Sequence, residues 1–281
     1  MDRMSNSPKK RTQSEITHNA VIYTYPGGYV DVICASEAIF REPGWEAAFG
    51  SPEDERAKPA PREAGKKSEG ADMERSMRRA RAKLRRLALA NGFDYFVTLT
   101  LDAGKIDRYD GAAITRVLGR WADNMVRRHG LRYILVPEQH KDGAFHFHGF
   151  MAGRGLESVD SGTIKRPGVK KPQRPRSEAE RERWLVEGGQ IVYNLPQWPY
   201  GFTTALELYG EYSAAVVYCC KYIGKQNGER PLGRWYYSGG QLAEPEKLYT
   251  DLEFRAVENS VEFSIPGAKM KVLHQKQEEN V

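Results

Sequence analysis

Ala144-Phe-His-Phe-His-Gly-Phe150 alternates phenylalanine with histidine along a short apolar run. Such alternation is typical of a half-buried β-strand, in which every second side chain faces the same way. His146 and His148 therefore point to one side of the strand, where two imidazoles can share a metal ion. A single histidine is more often a surface or core residue, but this pattern leaves two imidazoles side by side. We predict that both bind a metal.

The residues before the histidines predict the first strand of a β-hairpin. Residues 131–138 are rich in β-branched and aromatic side chains, and Lys141-Asp-Gly143 supplies the turn. Antiparallel pairing would bring the Glu138 carboxylate to the face of both imidazoles, which makes it the expected third ligand. Two imidazoles and one carboxylate leave coordination positions open, as a catalytic metal requires. We expect Mg²⁺ or Mn²⁺, although the same donors suit Zn²⁺ or Fe²⁺, and His140 in the turn is a weaker alternative ligand.

A second motif, Tyr218-Cys-Cys-Lys-Tyr-Ile-Gly-Lys225, carries two phenols and two ammonium groups. We predict one helix over residues 211–225, on which Tyr218, Lys221, Tyr222 and Lys225 fall within an arc of roughly 100°. A phenol has a pKa of about 10, so nearby cations would favour the phenolate while a metal polarises a phosphate. Together the two motifs predict attack of a tyrosine on a phosphodiester. The alternative is that the tyrosines only pack and the lysines are solvated.

The composition favours an anionic partner. The 281 residues carry a formal net charge of +6, and 40% of them are hydrophobic, enough for a real core. Nucleic acid is the usual partner of a basic chain. No apolar run approaches the roughly 18 residues that a membrane span needs, and the N-terminus lacks the apolar core of a secretory signal. Three cysteines make no disulfide framework, so we expect reduced thiols in a cytosolic protein.

Residues 74–90 predict a helix with few acidic residues among its arginines. Such a helix can lie along a phosphate backbone. The alternative is a solvated charged face with Met77, Leu84 and Leu87 turned inward. The candidate DNA-binding residues are Arg78, Arg79, Arg81, Lys83, Arg85 and Arg86.

Three other segments have clear periodicity. Residues 21–33 predict two strands around a turn at Pro26-Gly-Gly28. Residues 95–101 are β-branched and aromatic and predict a central strand. Residues 111–129 predict an amphipathic helix.

Composition divides the chain into four segments. Residues 1–18 predict a disordered basic tail, and residues 19–72 an N-terminal hairpin followed by a linker. Residues 73–265 form the expected main domain, with an exposed basic insertion at 155–189. Residues 266–281 are expected to be a flexible C-terminal tail.

In this order the motifs resemble those of the HUH endonucleases, and within them the rolling-circle replication initiators of phages and plasmids. His146-Phe147-His148 matches the His-hydrophobe-His motif, and Tyr218-x-x-Lys221-Tyr222 matches the tyrosine motif. The strand at 95–101 resembles the first motif, and Glu138 stands where many of these proteins carry the third ligand. The resemblance covers roughly residues 93–240, and the paired tyrosines are similar to those of the bacteriophage gene A type.

The resemblance implies an α+β fold: a five-stranded antiparallel sheet of the RRM-like kind, flanked by helices, with an N-terminal extension. It also implies Mg²⁺ or Mn²⁺, and nicking and rejoining of single-stranded or extruded origin DNA through a 5′-phosphotyrosine intermediate. The protein would act in the cytoplasm of a bacterial host cell. No Walker-type phosphate-binding run is present in the sequence, so a host helicase and polymerase are the expected partners.

Two other functions are compatible with the same residues. A transposase or a relaxase for plasmid transfer would use the same chemistry and differ in where it cuts. A non-catalytic single-stranded-DNA-binding protein would stack bases on its aromatic side chains and neutralise phosphates with Arg and Lys. Its binding would be insensitive to a chelator, and it would form no covalent adduct.

Overall fold

The computed structural model describes residues 17–41, 69–209, 212–225, 230–265 and 267–276. The predicted tail at 1–18 and the predicted linker after residue 41 fall almost wholly outside the described residues. The elements in chain order are β1 (Thr17–His18), β2 (Ala20–Thr24), β3 (Tyr29–Ala35), β4 (Phe40–Arg41), α1 (Glu69–Ala90), β5 (Tyr95–Thr100), α2 (Gly111–His129), β6 (Arg132–Gln139), β7 (Phe145–Ala152), β8 (Val159–Lys165), α3 (Glu178–Val186), β9 (Gln190–Asn194), β10 (Thr203–Glu207), α4 (Tyr212–Cys220), β11 (Tyr237–Gly239), β12 (Glu246–Thr250), β13 (Val261–Ile265) and β14 (Ala268–Lys276).

The chain forms two compact units, one of residues 1–64 with 245–281 and the other of residues 65–244. In the first unit, five described strands pair antiparallel in the order β12-β2-β3-β14-β13, and β1 pairs with β4. The predicted strands around Pro26–Gly28 are confirmed as β2 and β3. The tail expected at 266–281 instead contributes β14, because its residues pair with β3 from Met270 opposite Ala35 to Lys276 opposite Tyr29.

The second unit contains an antiparallel sheet in which the described strands follow the order β11-β6-β7-β5-β10-β9-β8. The α+β class is confirmed, but this sheet has seven described strands where five were expected. Part of the difference lies in residues 155–189, which were expected to be an exposed basic insertion. They supply the edge strand β8 and the helix α3, and their apolar residues Ile164 and Trp184 are buried.

Helix α2 covers one face of this sheet and has the predicted bounds. Its apolar stripe packs Leu118 and Met125 into a core with Leu99 and Phe147 of the sheet. The Asp110 carboxylate caps the helix by accepting hydrogen bonds from two backbone N–H groups of the first turn at 2.9 and 3.0 Å. This face therefore forms the main hydrophobic core of the unit.

Helices α1 and α4 lie on the opposite face of the same sheet. The Tyr212 hydroxyl of α4 donates to the carbonyl oxygen of Ala88 in α1 at 2.8 Å. The same tyrosine ring lies 6.0 Å from that of Phe150 in β7. Because side chains alternate along β7, His146 and His148 share this face with Phe150. None of the described helices combines the length and apolar character that crossing a bilayer requires.

Candidate metal centre and tyrosine pair

The β6–β7 hairpin brings the three predicted metal ligands together. Strand pairing places Glu138 directly opposite His146, and His148 two positions further along the same face. The turn closes through a hydrogen bond from the His140 backbone N–H to the Ala144 carbonyl at 2.8 Å. Gly143 adopts φ 89° in this turn, a left-handed conformation that a residue with a Cβ rarely takes.

Their ligand atoms form a small triangle. The Nε2 atoms of His146 and His148 lie 2.8 Å apart, and each lies 2.9 Å from Oε2 of Glu138. Atoms that coordinate one octahedral cation at right angles, each at about 2.1 Å, lie about 3.0 Å from one another. The three donors therefore already have the spacing of neighbouring ligands on one ion. Within the described residues, this is the group of side chains that could hold a metal.

The electrostatics of the triangle favour the metal-binding protonation states. Burial raises the pKa of the Glu138 carboxyl, but hydrogen bonds from His146, His148 and Lys225 outweigh it and hold that pKa well below its usual range. Burial lowers the pKa of His148, despite the opposing effect of the Glu138 carboxylate. At neutral pH the site therefore offers a carboxylate and a neutral His148 imidazole, as metal binding requires.

Thr98 supports the His148 ligand and was missed from the sequence. It lies opposite His148 on β5, and its hydroxyl oxygen is 3.0 Å from Nδ1 of that imidazole. Accepting a hydrogen bond from Nδ1–H leaves the Nε2 lone pair of His148 free for a metal. The alternation of Thr98 and Thr100 in the predicted strand was the available signal, but using it needed the register between β5 and β7.

His140, the alternative ligand, does not join the triangle. Its ring stacks on that of His146 with centroids 3.9 Å apart. Burial, followed by the neighbouring His146, lowers the pKa of His140. It is therefore a packing neighbour of one ligand, as its position next to the turn indicated.

The helix that carries the tyrosines ends earlier than predicted. Helix α4 stops at Cys220, and residues 221–225 continue as turns with i→i+3 hydrogen bonds, such as that from the Tyr222 N–H to the Cys219 carbonyl at 3.1 Å. Such turns have about three residues per turn, so the angles of a continuous α-helix do not apply beyond Cys220. Both phenols still meet, because the Tyr222 hydroxyl donates to the Tyr218 oxygen at 2.6 Å.

The two tyrosines lie directly beside the metal-binding triangle. The ring of Tyr222 stacks on His148, with centroids 4.0 Å apart and 20° between the planes. Tyr218 packs edge-on against Phe96 at 5.6 Å and keeps 49% of its surface exposed. Burial raises the pKa of Tyr222, and its hydrogen bond to Tyr218 and the charge of Glu138 raise it further. The expectation that neighbouring cations lower this phenol's pKa is therefore not met by the protein's own side chains.

Of the two predicted lysines, the structure brings one to the site. The Lys225 ammonium forms an ion pair with the second carboxylate oxygen of Glu138 and lies 5.2 Å from the centre of the Tyr222 ring. The Lys221 side chain is exposed, and within the described part of the chain it makes no hydrogen bond or ion pair. Lys221 follows the last residue of α4, so the predicted arc does not extend to it.

The arginine-rich helix α1 has two different faces. Arg78, Arg79 and Lys83 are exposed, and Arg78 is 3.3 Å from Glu74 in an ion pair. Arg81 instead turns towards the protein, and its Nε and Nη2 donate to the Ile223 carbonyl at 3.0 and 2.6 Å. Arg85 and Arg86, also predicted to bind DNA, are half-buried.

Helix α1 also fits closely against the tyrosine turn. Gly224 has φ 78°, and a Cβ added there would lie 1.8 Å from Sδ of Met77. The glycine therefore allows both the left-handed backbone and the close approach of the helix. Together with the Arg81 hydrogen bonds, this contact fixes the backbone on either side of the turn's last residues.

Comparison with known proteins agrees with this arrangement. Residues 94–227 match the family model described as replication-associated protein, of the ORF2 and gene II protein kind. The matched segment begins just before β5 and ends just after Lys225, so it includes the metal-binding triangle and both tyrosines. The match supports a role in replication initiation. No curated protein and no solved structure matches the chain significantly.

Proposed function

We propose that the protein is a rolling-circle replication initiator of the HUH endonuclease type, which nicks and rejoins single-stranded origin DNA. The observation that carries this proposal is the stacking of Tyr222 on His148, 4.0 Å apart, with Tyr218 hydrogen-bonded to Tyr222. A nucleophile of the right kind thus lies against a candidate metal ligand. The family match over the same residues favours replication over transposition or plasmid transfer.

The metal is proposed to be Mg²⁺ or Mn²⁺, held by Glu138, His146 and His148. When bound there it would polarise the scissile phosphate and neutralise charge that develops on its oxygens. The carboxylate and imidazole donors fit such an ion, because carboxylate oxygen suits Mg²⁺ and Mn²⁺ and imidazole is tolerated by Mn²⁺.

The tyrosines are proposed to act as nucleophiles. A phenol oxygen, either that of Tyr218 or that of Tyr222, would bond to phosphorus while the bond from phosphorus to the 3′ oxygen breaks. The phenol loses its proton, the released 3′ oxygen takes one up, and the 5′ phosphate stays on the tyrosine. The energy of the broken phosphodiester is retained in the new ester, so a 3′ hydroxyl can reverse the step. The second phenol allows another cut while the first is occupied.

The raised pKa of Tyr222 sets a requirement for this chemistry. The protein's own groups disfavour its phenolate, with burial first and the Tyr218 hydrogen bond next. Lys225 is engaged with Glu138 and lies beside the ring, so it can turn its charge towards an incoming phosphate. We therefore propose that Lys225 contributes to catalysis and that Lys221 contacts DNA further from the reacting atoms.

A covalent-adduct experiment tests the proposed function. Labelled single-stranded DNA that contains all short sequences is incubated with the full chain and Mn²⁺, denatured, and examined for a conjugate between DNA and protein. We expect a conjugate in Mn²⁺, none in EDTA, and none for the double variant Tyr218→Phe, Tyr222→Phe. A wild-type chain that forms no conjugate, or a double variant that still forms one, would show that the proposal is wrong.

The proposed biological setting follows from this function. We propose that the protein acts on origin DNA in the cytoplasm of a bacterial host cell and uses a host helicase and polymerase. Mapping the cut sites separates this setting from its alternatives: cuts at a replication origin support it, whereas cuts at the ends of a mobile element or at a transfer origin support a transposase or a relaxase.

A further inference from the structure

A cavity of about 470 Å³ opens beside the tyrosine pair. It lies on the same sheet face as the histidines, over strands β5, β10, β9 and β8, and α4 forms its other side. Tyr218, Tyr222 and His148 line the end of the cavity next to the metal-binding triangle. The metal-binding triangle and the phenols explain that end only, so the rest of the cavity has no role yet.

The walls of this cavity suit a flat aromatic ligand. Phe96, Tyr212 and Tyr218 present aromatic rings, and Val192 and Leu206 contribute aliphatic surface. Phe96 is held between Tyr218 at 5.6 Å and Phe150 at 5.7 Å, so it is fixed by packing. Aromatic side chains of this kind bind single-stranded nucleic acid by stacking on its bases.

The rim of the cavity opposite the tyrosines is basic. Lys165 and Lys170 line it, from the end of β8 and the loop that follows. Backbone hydrogen bonds of 2.8 and 3.0 Å between Ile164 and Gln173 close this loop at its base. The Lys165 ammonium donates to the Val169 carbonyl and, at 3.0 Å, to the Lys170 carbonyl. The protein therefore holds positive charge at the rim in advance of any ligand.

We infer that this cavity binds one unpaired nucleobase of the DNA strand that is cut, next to the scissile phosphodiester, with the neighbouring phosphate at the lysine rim. The inference rests on the proposed function, because it takes the strand to be single-stranded DNA. A base in a duplex is paired and stacked and cannot enter, so the cavity selects an unpaired strand. The carboxylate of Glu207 also lines the cavity, and its charge keeps phosphate at the rim and leaves the interior to the base.

Filling the cavity tests this inference. Ala215 lines the cavity from α4, whereas Val217 on the same helix does not line it and is 50% exposed. Ala215→Trp and the matched control Val217→Trp therefore add the same side chain to one helix, inside and outside the cavity. The binding of a labelled random-sequence single-stranded 10-mer, and of a 10-mer made entirely of abasic sugars, is measured by fluorescence anisotropy in EDTA with the full chain.

We expect Ala215→Trp to weaken binding of the random 10-mer by about tenfold, as for the loss of one stacked base, and to leave the abasic 10-mer unchanged. Val217→Trp is expected to bind both as the wild type does. If Ala215→Trp binds the random 10-mer like wild type, or loses affinity for both oligonucleotides equally, the cavity does not hold a base.

A second pair of variants tests the basic rim. Lys170 lines the cavity and its exposed neighbour Lys171 does not, so Lys170→Ala and Lys171→Ala remove the same charge at two places. We expect Lys170→Ala to weaken binding of both 10-mers more than Lys171→Ala does. Equal effects of the two variants would remove the lysine rim from the site.

These outcomes are separable from those of the proposed function. If the wild type forms no tyrosine adduct but Ala215→Trp still loses base-dependent binding in EDTA, the cavity binds a base and the nicking proposal is wrong. If the adduct forms and Ala215→Trp binds normally, nicking stands and the base site is wrong.

Discussion

The imidazole of His148 lies between the hydroxyl of Thr98, 3.0 Å from its Nδ1, and the ring of Tyr222, stacked at 4.0 Å. Its Nε2 meets the other two donors of the metal-binding triangle. One side chain thus offers a metal ligand, is oriented by a threonine, and supports a phenol. A change at His148 is therefore expected to disturb both metal binding and tyrosine placement.

His146 and His148 are expected to differ when each is replaced by alanine. His146→Ala should abolish Mn²⁺-dependent adduct formation and largely spare DNA binding, because this buried imidazole packs on the rings of His140 and His148. His148→Ala should do the same and also release Tyr222. Isothermal titration of Mn²⁺ and DNA binding in EDTA measure the two effects. Undiminished nicking by His146→Ala would remove it from the metal ligands.

Thr98→Val keeps the shape of the side chain and removes the hydrogen-bond acceptor of His148. Loss of such a supporting contact lowers metal affinity by about tenfold to about a hundredfold. Thr100→Val is the matched control, since Thr100 lies opposite His146 on the same strand. Titration of Mn²⁺ should show the loss for Thr98→Val alone; equal affinities for the two variants would contradict a role for Thr98 in orienting His148.

Tyr218→Phe and Tyr222→Phe are each expected to leave some cleavage, because either phenol can be the nucleophile. Tyr222→Phe also removes the hydrogen bond donated to Tyr218, so the two single variants should differ in rate. Peptide mapping of the adduct identifies the modified residue in each. An adduct on a residue other than these two would overturn the tyrosine assignment.

Arg81 and Arg79 are expected to have different roles although they lie two positions apart. Arg81→Leu should lower the free energy of unfolding by about 1–2 kcal/mol, through loss of the hydrogen bonds to the Ile223 carbonyl. Arg79→Ala should leave stability unchanged and reduce the salt dependence of DNA binding, as for a phosphate contact. Chemical denaturation and salt titrations check both. Equal stability of the two variants would contradict the assignment of Arg81 to the tyrosine turn.

Metal binding is expected to persist to a lower pH than for an ordinary histidine site. Burial holds the pKa of His148 below its usual value of about 6.5, so the imidazole stays neutral at pH 7 and loses its lone pair to a proton only at lower pH. Mn²⁺ affinity should be nearly constant from pH 8 to 7 and fall below about 6.5. A clear decrease between pH 8 and 7 would contradict the lowered pKa of His148.

The metal-binding triangle was predictable because its signals are local. Glu138, His146 and His148 lie on one hairpin, at most ten positions apart, and alternation plus one turn places them on one face. Thr98 was not predictable as a partner of His148, because fifty positions separate the two and the register between their strands depends on the whole sheet.

The tyrosine helix and the basic insertion show the limits of periodicity. The change from α4 to tighter turns after Cys220 coincides with the packing of Met77 against Gly224, a tertiary contact that the pattern of one helix does not contain. In residues 155–189 the buried Ile164 and Trp184 stand among many charged residues. Strand β8, which carries Ile164, is held in the sheet by pairing with β9, so composition alone predicted an exposed segment.

Glu138 gives one oxygen to the imidazoles and the other to Lys225, 87 positions along the chain. A single carboxylate therefore ties the hairpin to the tyrosine turn. The neutral isostere Glu138→Gln would weaken the grip on a cation and loosen this tether in one stroke. A silent Glu138→Gln enzyme is thus ambiguous on its own, and comparison with Lys225→Met, which cuts the tether and spares all three donors, tells the two injuries apart.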